Sequence, residues 1–380
     1  MPIMHDSGEK PNARLIAFYL PQFYPIPEND EAWGTGFTDW TNVRKARPLF
    51  SGHYQPQLPA DLGFYDLRVP EIREAQAELA RANGIEGFCY WHYWFAGERL
   101  LERPFNEVLD SGSPDFPFCL GWANETWNGL WSGGDERLII KEQTYPGKDE
   151  HKLHFDFLLR AFRDRRYIRV DDKPLLLIYR PLKIPDCRAV LDYWRKLAED
   201  AGLPGLYMIA TLDYHEREWD AVANGFDAVT VWTLGRVLSE GRSCLFFSRL
   251  KKNLKVIRPR RLHHYLEKKY PNLNWVYDYE EIKDLLVCDD KFEVPYHPMV
   301  IPNWDTTARY DRKAIIFHNS TPDAFRIHLR EVLGQVENQT PEQRIVFVKS
   351  WNEWAEGNYL EPDRRHGSAY LDAVRQELNP

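Results

Sequence analysis

The sequence predicts an α/β protein of the (β/α)8 kind, a TIM barrel with a long loop after its first strand and a basic insertion between strands six and seven. Two observations lead there. Eight short runs rich in Val, Ile, Leu and aromatics recur along the chain, and most are followed by a stretch of helical periodicity. Several of these runs end abruptly in Asn, Glu, Asp and Trp, as barrel strands do when they deliver polar groups to one face. A doubly wound sheet is the competing fold. It wants a glycine-rich phosphate turn after strand one, and Tyr19-Leu20-Pro21-Gln22 stands there instead.

Taken in order, residues 14–20 form the first strand, and Pro21 and Pro25 stop it. A Trp-, Gly- and Pro-rich loop runs from there to about Asp66; a loop that long in a compact domain is usually functional or packed as a lid. Residues 70–83 are helical, with Ile72, Ala75, Leu79 and Ala80 on one face and Asn83-Gly84 as the stop. Strand two is 87–91, running into His92-Tyr93-Trp94, and a helix near 102–110 follows. Strand three is 116–122 and a helix spans 150–163. Strand four is 174–179 and a helix spans 186–201, closed by Gly202. Strands five and six are 206–210 and 228–232. The rhythm then breaks: residues 236–270 carry eleven Lys or Arg against Glu240 and Glu267. It returns with strand seven at 297–301, a helix at 322–337, strand eight from Ile345, and a last helix at 367–378.

With 380 residues and no low-complexity linker, the chain reads as one catalytic domain, 1–380, with 236–296 as an insertion within it. Hydrophobic residues make up 43% of the chain, enough for a large core. The net charge of −8 argues against nucleic acid as the main partner. The basic stretch 236–270 is either a solvated cationic face or a patch for a peripheral membrane surface, a lipid diphosphate or an anionic glycan. The five cysteines are scattered and contain no CxxC, so neither a zinc site nor a disulfide framework is signalled. No apolar leader and no membrane-length run is visible, which gives a cytoplasmic expectation without a transmembrane segment.

The chemistry concentrates after strand eight, in Trp351-Asn352-Glu353-Trp354-Ala355-Glu356-Gly357, with Glu361 beyond. Two carboxylates three positions apart between tryptophans suit sugar chemistry, in which one acid donates a proton and the other acts as base or nucleophile. Two glutamates in a turn are more often solvated or helix-capping groups. What favours the functional reading is that other strand ends repeat the style. They supply Tyr19 and Gln22, then Trp91, His92, Tyr93 and Trp94, then Asn124, Glu125 and Trp127, then Tyr179 and Arg180, then Trp232, and finally Asn303, Trp304, Asp305 and Arg309. Trp40 comes from the long first loop. Rings to stack on sugar faces, with amides and acids for hydroxyls, make a polyol-binding cleft. His92 alone is more often structural than a metal ligand, and no second histidine stands at i+2 or i+4, so no metal and no cofactor is expected.

Asn352-Glu353-Trp354-Ala355-Glu356-Gly357 with Tyr359-Leu360-Glu361-Pro362 resembles the strand-eight signature of glycoside hydrolase family 99 and of its WbsX-like relatives, which occur with lipopolysaccharide and O-antigen biosynthesis. The segments 17–23, 36–43, 87–95 and 122–125 resemble the WbsX-like group, so the similarity spans about 13–375. The resemblance implies a barrel acting on glycans and, from family 99, a retaining endo-mannosidase-like hydrolase. Glu353 would deprotonate the sugar's own 2-hydroxyl to give a 1,2-anhydro sugar, and Glu356 would protonate the leaving oxygen. The chain departs from the pattern at Thr306 and at Thr126, where the relatives often carry Asn. Both departures bear on subsite contacts rather than on the glutamate pair. We therefore expect a metal-free glycoside hydrolase acting on an oligo- or polysaccharide, Glu356 being kept protonated by burial. A glycosyltransferase of surface-polysaccharide biosynthesis is the alternative.

Overall fold

The computed structural model describes residues 13–129, 137–243 and 275–378. Eight parallel strands form a nearly closed barrel: β1 Arg14–Tyr19, β2 Ile85–Phe95, β3 Phe118–Trp122, β4 Lys173–Ile178, β5 Tyr207–Asp213, β6 Ala228–Trp232, β7 Met299–Val300 and β8 Ile345–Val348. Their order across the sheet is β6-β5-β4-β3-β2-β1-β8-β7. The remaining gap is spanned by a parallel bridge between Val229 and Tyr296, where His297 N donates to Val229 O over 2.8 Å. Every residue of β8 is fully buried, and so are Leu15, Ile16 and Ala17 of β1, because helices cover the outside and side chains fill the inside.

The covering helices are α1 Pro70–Ala82, α2 Arg103–Ser111, α3 Lys148–Phe162, α4 Cys187–Asp200, α5 Leu234–Glu240, α6 Pro322–Val336 and α7 Ala369–Leu378. Their starts follow local chemistry. Pro70, Pro104 and Pro322 occupy first-turn positions, where the missing N–H costs nothing, and Thr321 caps α6 by accepting from Ala324 N. Trp194 of α4, fully buried, donates to His151 O of α3 over 2.9 Å and fixes one helix against the next.

Three strands differ from the sequence expectation, β5 by running on to Asp213. β2 runs on to Phe95 because its end pairs antiparallel with Glu98–Leu100 around the Ala96-Gly97 turn. β7 is only two residues long, since Pro298 and Pro302 flank it and cannot donate to a ladder. From residue 244 on, the basic stretch 236–270 lies outside the described residues. Within them, no helix is long and apolar enough to cross a membrane.

Candidate active site

β8 ends at Val348, and the chain then folds into a tight hairpin in which Asn352–Glu353 pair antiparallel with Asn358–Tyr359. A single 3-10 turn, Trp354–Glu356, joins the two arms, and Gly357 closes it at φ +55°. The register is held from beneath. Asn352 Oδ1 accepts from Leu20 N at 2.7 Å and its Nδ2 donates to Leu20 O at 3.1 Å, clamping the hairpin to the end of β1. Ser350 Oγ accepts from Glu353 N and donates to Asn358 O. The result is that both Glu353 and Glu356 line one cavity of about 440 Å3.

The cavity wall is ring-rich: Phe18, Trp91, Tyr93, Tyr179, Trp232, Trp304 and Tyr310 line it together with Glu125, Lys183, Arg309 and Lys349. Phe18 stacks on Trp91 at 4.7 Å, and Trp232 meets Trp304 edge to face at 5.3 Å. At the end where Glu353 and Glu356 stand, five ionisable side chains are linked. Lys349 Nζ ion-pairs with Glu353 Oε2, while Trp91 Nε1 donates to Glu353 Oε1 over 2.9 Å. Arg309 Nη1 donates to Glu356 Oε1 over 2.6 Å, and its Nη2 reaches Asp39 Oδ1 at 3.4 Å. The other Asp39 oxygen accepts from Ala355 N at 2.9 Å.

Three carboxyls against two cations leave this cluster one negative charge over unless it holds a proton. Burial pushes Glu353 up, but the Lys349 ammonium, a side-chain contact with Glu356, and Arg309 outweigh it and hold Glu353 below the ordinary carboxylate range. Burial also pushes Glu356 up, and with the Glu353 charge alongside, its carboxyl reaches about 7 despite Arg309. Burial raises Asp39 as well, against Arg309. Of the two glutamates, Glu356 is the one whose protonated form its surroundings favour, and Glu353 the one whose charged form they favour. A second polar group lies farther along the wall: Glu125 accepts from Arg180 Nε at 3.0 Å and from Lys183 Nζ at 2.7 Å.

Of the residues singled out in the sequence, Trp91, Tyr93, Glu125, Tyr179, Trp232, Trp304, Arg309, Glu353 and Glu356 line the cavity. The others stand behind its wall, for identifiable reasons. Successive strand residues point to opposite faces, so Trp91 and Tyr93 face in while His92 and Trp94 face out onto α3. There His92 Nε2 lies 3.0 Å from His154 Nε2 and burial pushes its ring down to about 3, while Trp94 stacks on His154. Tyr19 likewise turns out, its hydroxyl donating to Gln76 of α1 at 2.7 Å. Gln22 is buried, with its carbonyl accepting from Asp39 N. Trp40 donates to Tyr65 O, and Trp127 packs on Tyr93. Asn124 secures the β4 end by accepting from Arg180 N and donating to Arg180 O. Asn303 Oδ1 accepts from Tyr359 N, and Trp351 is fully buried. Trp354 stacks on Tyr359 and donates to Glu361, which also accepts from Tyr65 and Gln76. Asp305 accepts from His53 Nε2 and Gln55 Nε2, both at 2.7 Å.

Lys349 and Asp39 were not singled out as site residues. Lys349 carried a signal: it breaks the apolar run of β8 four positions before Glu353. Among the described residues, no cluster of three or more His, Cys, Asp or Glu is arranged to hold a metal ion.

The model of the family described as "Glycosyltransferase WbsX" matches residues 15–374. A protein described as "Uncharacterized protein WxcX", from Xanthomonas campestris pv. campestris, is 39% identical over 368 residues, covering 96% of this chain and 50% of that protein. The chain thus spans about half the length of the curated relatives it matches. Among solved structures, a "Glycoside hydrolase-like protein" superposes with TM-score 0.58 at 17% identity, covering 100% of this chain and 97% of that one. The GH99 endo-alpha-mannosidase from Bacteroides thetaiotaomicron superposes with TM-score 0.51 at 14% identity, covering 96% of each chain. At those identities the likeness is one of fold.

Proposed function

The chain belongs to the WbsX glycosyltransferase family, and from that premise we propose that its cavity is the active site of a carbohydrate-active enzyme that cleaves a glycosidic bond with retention, using Glu353 as base and Glu356 as acid. The observation that carries this reading is the opposite proton affinity of two glutamates on one ring-lined wall, one favoured as carboxylate and the other pushed up to about 7. Planar rings offer stacking faces for a sugar.

In the first step Glu353 takes the proton of the sugar's 2-hydroxyl, and that oxygen bonds to the anomeric carbon as the glycosidic bond breaks. Glu356 gives its proton to the departing oxygen. In the second step Glu356, now a carboxylate, takes a proton from water as the water oxygen bonds to the anomeric carbon. The 2-oxygen recovers its proton from Glu353. Two inversions give net retention, and each carboxyl ends as it began. The reaction needs a free 2-hydroxyl on an α-mannoside-like or related sugar.

The test is digestion of a polysaccharide panel with the product anomer read by NMR. Glu353→Gln and Glu356→Gln should each lose on the order of 10²–10⁴-fold in turnover on a substrate with a poor leaving group. An aryl leaving group should restore the first step, read as the burst of aryl release, to Glu356→Gln alone. Near-wild-type turnover by either variant on the poor leaving group refutes the assignment.

The family description favours a second reading, in which the acceptor is a sugar hydroxyl on a surface polysaccharide rather than water. The same two glutamates would serve it. A new glycosidic bond in place of a reducing end, or nucleotide-sugar binding in calorimetry, would establish transfer.

A further inference from the structure

We propose that Lys349 is a positioning residue for Glu353, its ammonium holding the carboxylate in one orientation and in its charged form. The proposal rests on the reading of Glu353 as base and deepens it by naming what keeps the base ready.

The geometry singles Lys349 out. It is the first residue beyond β8, and its Nζ meets Glu353 Oε2 while Trp91 Nε1 holds Oε1. Both carboxylate oxygens are therefore fixed by donors from separate segments of the barrel, and Ser350 Oγ accepts from the Glu353 backbone N–H. The far side of the ammonium faces rings: the centroids of Trp91, Trp232 and Trp304 lie 5.6, 5.5 and 5.9 Å from Nζ. A lysine drawn into an indole-lined wall loses hydration, and a carboxylate plus three ring faces replace it.

The other groups facing Glu353 do less of this work than Lys349. Glu356 on the same turn and Asp39 on the helix Asp39–Val43 are acids, and Tyr93 of β2 is a phenol. Arg309 is engaged with Glu356 and Asp39. Lys349 is thus the cation in contact with Glu353, and its charge is the largest influence opposing burial there.

The test uses the full chain carrying carboxyl-13C glutamate, with Glu353→Gln identifying the resonance. In the wild type, the Glu353 signal should titrate below the ordinary carboxylate range. Lys349→Met should move that midpoint up, and Lys349→Arg should leave it low. In turnover, Lys349→Met should move the acidic limb of the pH profile up and lose roughly tenfold or more in kcat on that limb with KM little changed, less than loss of the base itself. Lys349→Arg should restore the limb. An ordinary midpoint in the wild type, or one unmoved in Lys349→Met, overturns the proposal. If Lys349→Met does not fold, the wild-type titration and Lys349→Arg decide. Should Glu353→Gln keep its turnover, the base reading fails, while the titration still judges the Lys349–Glu353 coupling.

Discussion

Arg309 reaches Glu356 from inside the protein, its side chain 2% exposed and its Nη1 2.6 Å from Glu356 Oε1. The same guanidinium extends toward Asp39, so one cation balances two acids from opposite ends of the sequence. Arg309→Met removes that balance and leaves both carboxyls buried without it. The expected loss is roughly 3–5 kcal/mol in chemical denaturation, the scale for breaking one side of a buried pair. Losing the cation also favours protonated Glu356, so the alkaline limb of turnover should move to higher pH. Arg309→Lys keeps the charge but not the planar fork and should fall between.

The pH profile of turnover follows from the pair. The proposed mechanism needs Glu353 ionised and Glu356 protonated, so the rate should fall as pH rises through about 7. The rising limb belongs to Glu353 and lies at the acidic end, since that carboxyl is held low. Stability has its own sign. Glu356 is raised from 4.5 to about 7 in the fold, so its contribution is present below 4.5 and lost as pH rises through about 7. Denaturation midpoints of Glu356→Gln should therefore depend less on pH across that window than those of the wild type.

Much of this was legible in the sequence. All eight strands and the covering helices after strands one to four, seven and eight fall where apolar runs and helical spacing put them, because strand and helix periods are local signals. The cavity was less legible, and the four residues Trp91 to Trp94 show why. A run of four tip residues cannot all face inward, and the sequence does not say which parity does until the register of β2 on β1 and β3 is known. Arg309 and Asp39 meet across 270 positions, a contact that no local pattern encodes. Asn352 and Glu361 sit in a signature rich in polar groups, yet they spend those groups on backbone and buried side chains.

Asp305 gives that distinction a test. Its Oδ2 takes two donors, His53 and Gln55, and its Oδ1 takes Thr307 N at 3.0 Å at the start of the short helix Thr307–Tyr310 that carries Arg309. A residue touching sugar would, on removal, raise KM with the fold intact. A residue that anchors the helix behind Arg309 should instead cost stability. Asp305→Ala is expected to lose about 1–3 kcal/mol, the price of stranded buried donors, and to lower kcat more than it raises KM. Thermal unfolding and a kcat-against-KM comparison read both.

Gly357 tests the hairpin that sets the two glutamates. Its φ of +55° is one that side-chain-bearing residues rarely adopt, and a Cβ there would lie 2.8 Å from both the Cβ and the carbonyl oxygen of Asp305. Relief would require moving the turn away from Asp305, whose N–H donates to Glu356 O over 2.7 Å. Gly357→Ala should thus destabilise by about 1–3 kcal/mol through overpacking and strain. Because the shift acts on the backbone of Glu356, turnover should fall by more than the folded fraction does. Circular dichroism melting gives the first quantity, and kcat per folded molecule gives the second. A variant that melts lower yet keeps its full kcat would mean that the turn can move without displacing the acid.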